Sequence, residues 1–317
     1  MNKEYRRQNL EDIIKQPIEY KINHAKERIK EFYEKMDGKV YVAFSGGKDS
    51  VVLLHLVRSV YPEVKAVFSN TTNEYVEILN FVKTIDNLIE VKPKISFNQT
   101  VEKYGFPLVS KKTARAITDL RENKPTTKNV RNLYLTGMTM EGHFCQSYKL
   151  AKKWYKLWKE AEFDITNKCC DILKKEPLHR FEKETGLKGY IGTQVKEGGF
   201  RKNSWINNGC NIYTANNEKS RPLSIWTTED IWEYIQKNNI EYSKIYDDVE
   251  KNGVIIKGEK RTGCAYCAFG AHLENKEDLN RFERLKLRKP KQFEKMMNLK
   301  NNGITYREAL KFVGVKI

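Results

Sequence analysis

Between the apolar run Val40-Tyr41-Val42-Ala43-Phe44 and a second one, Val51-Val52-Leu53-Leu54-His55-Leu56-Val57, the chain places Ser45-Gly46-Gly47-Lys48-Asp49-Ser50. This order predicts a strand, a tight glycine turn and a helix. Adjacent glycines let backbone N–H groups turn inward without side-chain obstruction, which makes an anion-binding nest. The helix starting at the turn adds its positive dipole end. Ser45 and Ser50 add hydroxyl donors, and Lys48 a point charge suited to phosphate. A nucleotide carrying a pyrophosphate is the expected ligand. The loop is neither a Walker A sequence, which needs four residues between Gly and Gly-Lys-Ser/Thr, nor the three-glycine dinucleotide fingerprint.

The flanking sequence extends the pattern. Residues 64–69 and 88–91 read as second and third strands, with a helical stretch through Val82 between them. A β–α–β–α–β alternation predicts a doubly wound, mainly parallel α/β sheet, with ligands at the carboxyl ends of its strands. Residues 1–37 read as one amphipathic helix, because Ile13, Ile14, Ile18, Ile22, Ala25, Ile29 and Phe32 recur near helical spacing. A helix is expected around residues 148–162, and Gly189-Tyr190-Ile191-Gly192 reads as a short strand. A further helix follows Thr227 or Thr228, with Ile231, Trp232 and Ile235 as its apolar stripe. The tail from Leu273 is mostly helical and basic. The expected organisation is an N-terminal helical segment over 1–37, a nucleotide-binding domain over 38–247, and a helical, cysteine-bearing region over 248–317.

No stretch approaches the length of a membrane span, and the first residues lack a signal peptide's apolar core, so a cytoplasmic location is expected. Thiols stay reduced there. The net charge of +17 makes a polyanion such as nucleic acid a candidate partner, against the plainer reading of a lysine-rich, solvated surface.

Six cysteines occur, and four form a pattern: the adjacent pair Cys169-Cys170, and Cys264-Ala265-Tyr266-Cys267. In a reducing compartment, clustered thiolates point to metal or redox chemistry. A Cys-x-x-Cys turn alone fits zinc, a redox dithiol or an iron–sulfur cluster. Adjacent cysteines are awkward for a tetrahedral zinc chelate, whereas a cubane cluster has iron corners close enough for both.

The loop at 45–50 resembles the PP-loop, Ser-Gly-Gly-x-Asp-Ser, of the N-type ATP pyrophosphatases (adenine nucleotide alpha-hydrolases). The cysteine pattern, with Lys174-Lys175-Glu176-Pro177-Leu178 and a Trp226 to Tyr242 stretch between its halves, is similar to that of the assimilatory sulfonucleotide (APS/PAPS) reductases. The resemblance covers roughly residues 38–270 by motif order. It implies a [4Fe-4S] cluster on Cys169, Cys170, Cys264 and Cys267, with zinc as the alternative. It also implies nucleotide contacts from Thr71 and Glu74, because Asn70-Thr71-Thr72-Asn73-Glu74 stands where the family has an Asp-Thr-Gly-x-Glu pattern. Arg201 is expected to clamp a phosphate or sulfate. Lys111, Lys112 and Arg115 follow a segment that looks like the family's substrate-binding stretch.

Two departures bear on activity. The reductases resembled here carry a catalytic cysteine in a C-terminal Glu-Cys-Gly-Leu-His-like motif, and this chain has no cysteine after Cys267. Their loops also commonly depart from Ser-Gly-Gly-Lys-Asp-Ser, whereas an intact loop with Lys48 suits ATP. The combination is that of ATP-dependent sulfur-transfer enzymes, such as tRNA thiolases and Dnd-type DNA-phosphorothioation sulfurtransferases. The expected reaction cleaves ATP to AMP and pyrophosphate, activating an acceptor for sulfur from a persulfide carrier or cysteine desulfurase. Lys48 and the backbone of Gly46 and Gly47 would steady pyrophosphate, and Asp49 would order the loop or hold Mg²⁺. Catalytic roles are thus assigned to Lys48, Asp49 and Arg201. One competing reading is a sulfonucleotide reductase whose thiol comes from Cys145, Cys210 or a partner. Another is an accessory nucleic-acid-binding protein. His143 and His272 are read as core or surface residues, and Trp154, Trp158, Trp226 and Trp232 as packing aromatics.

Overall fold

In a computed structural model describing residues 2–122, 128–215 and 217–317, the strand, glycine turn and helix around residues 45–50 are β1 (Val40–Phe44) and α3 (Lys48–Arg58). They follow α1 (Lys3–Ile14) and α2 (Ile18–Lys35). β1 pairs in parallel with β2 (Ala66–Ser69) on one side, in the register Val42 to Ala66, and with Lys188–Ile191 on the other. β3 (Leu88–Val91) lies outside β2, and Lys219–Ser220 lies parallel beyond Lys188–Ile191. Asn211–Ile212 closes that edge antiparallel. The result is an α/β fold with a six-stranded, mainly parallel sheet.

Both sheet faces are covered, as a parallel sheet requires. Tyr41 and Val67 pack with Phe181 of the helix Glu176–Thr185, joined by Ala43, Ile89, Val91, Leu178 and Leu187. Side chains alternate along a strand, so Val40, Val42 and Phe44 point the other way. There α3 and α2 supply Val52, Leu53, Leu56, Val57, Ala25, Ile29 and Phe32, all 0 % exposed.

The expected single helix over 1–37 is two helices. Pro17 lacks an N–H and disfavours helical backbone in the residue before it, so the chain breaks there and restarts with Pro17 as the N-cap of α2. The helix expected over 148–162 is also shorter, a 3₁₀ turn Lys152–Trp154 leading into Tyr155–Lys159. It ends because Arg121 donates to the carbonyls of Leu157, Trp158, Ala161 and Phe163, satisfying groups that a continuing helix would use.

By mutual packing the chain forms two compact units, each discontinuous in sequence. One comprises Met1–Asn70, Glu74–Lys92 and Glu176–Ile245 and holds the sheet; the other comprises Thr71–Asn73, Pro93–Lys175 and Tyr246–Ile317. This grouping differs from the partition expected at 37 and 247, because residues 93–175 pack with the C-terminal residues. In the second unit Leu108–Val109 pairs in parallel with Ala268–Phe269, and the Phe106 and Tyr306 rings stack with centroids 4.9 Å apart. No helix among the described residues is long and apolar enough to cross a membrane.

Candidate functional site

In the first unit, Gly46 takes φ +71°, the left-handed turn that glycine adopts without penalty. Gly47 then caps α3 in an extended conformation. Ser45 N–H donates to Ser50 Oγ at 3.1 Å, and Ser50 Oγ donates to the Gly47 carbonyl at 2.8 Å, so the two serines brace the turn from inside. Lys48 is 3 % exposed, and its Nζ lies 3.0 Å from Asp49 Oδ2. The six residues expected to form the anion nest therefore span the glycine turn, Ser45 to Gly47, and the first turn of α3, Lys48 to Ser50.

Gln194, which the motif reading missed, completes the loop's support. Its Nε2 donates to Asp49 Oδ1 at 2.7 Å, and its backbone N–H donates to Glu197 Oε2 at 3.0 Å. Glu197 is ion-paired to Arg201. Asp49, Gln194, Glu197 and Arg201 thus form one polar relay within the unit. The close approach has a sequence trace in Gly192, where a Cβ would stand 3.2 Å from the Asp49 carbonyl oxygen. Glu74 is buried in the same unit.

The second unit holds all four pattern cysteines. Cys169 and Cys170 open a helical stretch that runs on as the π-helical turn Asp171–Lys175. Cys264 and Cys267 bracket a turn closed by Cys267 N–H donating to the Cys264 carbonyl at 3.2 Å. Burial pushes the Cys169 thiol well above the ordinary thiol range, and the charges of Cys267, Cys170 and Cys264 push it the same way. That effect shows the other three cysteines within electrostatic reach of Cys169. Cys267 is raised by burial as well, while the Arg281 and Lys174 cations act against that rise. No set of three or more His, Cys, Asp or Glu side chains among the described residues stands close enough to chelate a single ion. The donor set is four thiols, Cys169 buried and the other three partly covered, with the Arg281 and Lys174 charges acting on Cys267, and it fits a polynuclear iron–sulfur group that carries net negative charge.

The turn between Cys264 and Cys267 is held from outside. Ala265 N–H donates to the Asn73 carbonyl at 2.7 Å, and Tyr266 N–H to Asn73 Oδ1 at 3.1 Å. Arg281 Nη1 donates to the Cys267 carbonyl at 3.0 Å and is ion-paired to Glu274. The Cys264 thiol donates to Thr71 Oγ1 at 3.6 Å. The structure therefore places Thr71 beside the cysteine turn. Thr72, where the resembled pattern has glycine, stands at φ +60°, a strained position for a β-branched residue, and its Oγ1 accepts from the Phe97 N–H at 2.8 Å.

The remaining candidates separate by exposure. Cys210 is buried, and burial raises its thiol, whereas Cys145 is partly exposed. Lys111 and Lys112 are exposed at the start of the helix Lys111–Glu122, and Arg115 lies 3.7 Å from Asp119. His143 is exposed; His272 is held below the usual histidine range by burial and by Lys153. Trp226 is fully buried, so its packing role stands, while Trp154, Trp158 and Trp232 are only partly covered.

A parallel α/β sheet with a PP-loop at the carboxyl end of its central strand defines an adenine nucleotide alpha-hydrolase-like protein. More closely, the chain belongs to the phosphoadenosine phosphosulfate reductase domain family, whose model matches residues 39–134 and 103–269. It is 25% identical to the uncharacterized protein MJ0973 of Methanocaldococcus jannaschii over 98% of this chain, spanning 61% of that protein's length. It is 26% identical to the adenosine 5'-phosphosulfate reductase of Lysinibacillus sphaericus over 74% of this chain and 76% of that one. Among solved structures, the phosphoadenylyl-sulfate reductase of Candida auris aligns at a TM-score of 0.41 and 13% identity, covering 81% of this chain and 98% of that one. The fold assignment rests on the strand order above and not on that likeness.

Proposed function

We propose that the chain is a sulfonucleotide reductase that binds adenosine 5'-phosphosulfate or its 3'-phosphorylated form. The observation that carries this reading is that Cys169, Cys170, Cys264 and Cys267 lie in one compact unit and that the last three act electrostatically on the first, in a chain of this family. A named relative, the Lysinibacillus sphaericus protein, supports the substrate class. Residues 45–50 take the nucleotide's phosphate, with backbone N–H groups and the Lys48 charge offsetting its negative charge. Gln194 holds Asp49, and through Glu197 the relay orients Arg201 toward a second anionic group. The four cysteines hold a [4Fe-4S] cluster, which when bound supplies iron able to store or pass one electron.

The nucleophile in this reading is a thiolate from Cys145, which unlike Cys210 is partly open to solvent, or from a partner. Where Cys145 serves, its sulfur bonds to the sulfo sulfur as the bond from that sulfur to the nucleotide's phosphate oxygen breaks, and the nucleotide leaves. An external dithiol then attacks Cys145 Sγ, releasing sulfite and taking up the oxidation as a disulfide.

A second reading is ATP-dependent sulfur transfer from a persulfide carrier, with Mg²⁺ on the phosphates. The buried Lys48 beside the glycine turn supports it, since a departing pyrophosphate would need a cation there. One assay separates the two. Anaerobically purified protein is given either sulfonucleotide with a dithiol, or ATP, and sulfite and pyrophosphate are measured. Sulfite without pyrophosphate is expected, and loss of it in Cys145→Ser assigns the thiol. Pyrophosphate from ATP with no sulfite overturns the reductase in favour of sulfur transfer.

A further inference from the structure

Within the second unit, residues 128–159 carry seven Lys or Arg residues against one acid, Glu141, and so hold six of the chain's net +17 charges. The short stretch Lys152-Lys153-Trp154-Tyr155-Lys156-Leu157-Trp158-Lys159 interleaves cations with rings. Lys153 Nζ sits 5.0 Å from the Trp154 ring centre, and Lys159 Nζ 5.5 Å from that of Trp158. The ring of Tyr148, four residues before this stretch, is covered by Lys112 at 4.6 Å. Lys152, Lys153, Lys156 and Lys159 are all exposed, and among the described residues none of them pairs with a carboxylate. Elsewhere surface lysines do so: Lys175 with Asp171, Lys257 with Asp248, Lys260 with Glu277.

Four uncompensated cations beside partly open indole and phenol rings match the needs of a strand with bare bases. Phosphates take the ammonium groups, and bases stack on rings whatever their sequence. A duplex would use the cations but leave the rings idle. A bilayer would need an apolar face to insert, and Leu157, the aliphatic residue of this stretch, is turned inward at 1 % exposure. We propose that residues 148–159 form a docking surface for single-stranded nucleic acid. Trp154 and Trp158 are its stacking platforms, and Lys152, Lys156 and Lys159 its phosphate-binding cations. The proposal is independent of which reaction the cysteines serve.

The test is anisotropy titration of the full chain with labelled 20-nucleotide oligo(U) and oligo(dT). A hairpin duplex, heparin and phosphatidylglycerol vesicles serve as competitors. Both single strands are expected to bind and to quench tryptophan fluorescence, and the difference between them tells RNA from DNA. Reversing Lys152, Lys156 and Lys159 to Glu should weaken binding at least tenfold. The same change should flatten the log–log salt slope by about two, at roughly 0.7 for each phosphate no longer neutralised. Reversing Lys286, Lys291 and Lys295, exposed lysines on other helices of the same unit, makes the same change in net charge and should shift affinity less than twofold. Trp158→Ala should cost about fivefold or more, and Trp158→Phe should restore most of it. Equal loss from both lysine triples, heparin bound as tightly as the oligonucleotides, or vesicles displacing the oligonucleotides would each overturn the proposal.

Discussion

A methyl group on Gly46 would lie 2.9 Å from Ile78 Cγ2 and 3.0 Å from Val82 Cγ2, on a backbone already at φ +71°. Left-handed backbone costs an ordinary residue about 1–2 kcal/mol, and the overlap adds to that. Gly46→Ala should therefore lower stability by about 2 kcal/mol or more, read from urea midpoints at unchanged m-value. Lys48→Ala removes the loop's cation and should weaken binding of a phosphate-bearing adenine nucleotide at least about tenfold, the range for a charge-assisted hydrogen bond. Unchanged affinity by calorimetry would place the anion elsewhere. The two cysteines outside the cluster pattern should also part in reactivity. Burial raises the Cys210 thiol, so with the other thiols protected iodoacetamide should label Cys145 first, as mass spectrometry of timed aliquots would show.

Two helices carry polar residues where their amphipathic pattern calls for apolar ones. On α2, Lys21 Nζ lies 2.5 Å from Asp230 Oδ2, with the two side chains 3 % and 13 % exposed. Asp230 also accepts from the Thr227 N–H at 2.6 Å, closing the capping box of the helix Thr228–Lys237. Asp230→Ala would strand a buried ammonium and should cost about 3–5 kcal/mol, against about 1 kcal/mol for Thr227→Ala. Also on α2, burial and then the Arg28 charge bring His24 down to about 4. The unfolded chain takes up that proton near pH 6.5, so between about 6.5 and 4 it binds more protons than the folded one. Stability is then full above that window and falls as the pH drops through it, by about 3 kcal/mol in all. Denaturant titrations at stepped pH should show this fall, and His24→Gln should flatten it.

At the scale of the whole molecule, burial raises both Cys169 and Cys267, so these thiols hold their protons at neutral pH, and the cysteine site must give up protons to ligate iron. Filling it should release protons and add stability. Anaerobic reconstitution with iron and sulfide should turn the protein brown and raise its Tm, and Cys264→Ser should remove both effects. Much of this architecture was legible beforehand. The glycine turn, the strands at 40–44 and 88–91 and the Thr227 cap are written in residues a few positions apart. The break at Pro17 was legible too but was outweighed by the periodicity on either side of it. Gln194 was not legible, since a lone glutamine becomes informative only when Asp49, 145 residues away, lies against it. Nor was the place of Thr71, whose hydroxyl meets Cys264 across 193 residues.

Short-range spacing thus determined the glycine turn, the parallel α/β class and the spacing of the cysteine pairs, because turn, helix and strand geometry is dictated by neighbours along the chain. Tertiary structure alone decided that residues 93–175 join the C-terminal residues, that Thr71–Asn73 braces the cysteine turn, and that Lys152, Lys153, Lys156 and Lys159 pair with no carboxylate among the described residues. Those outcomes depend on loop closure between distant segments and on burial of their surfaces, and no local pattern encodes either.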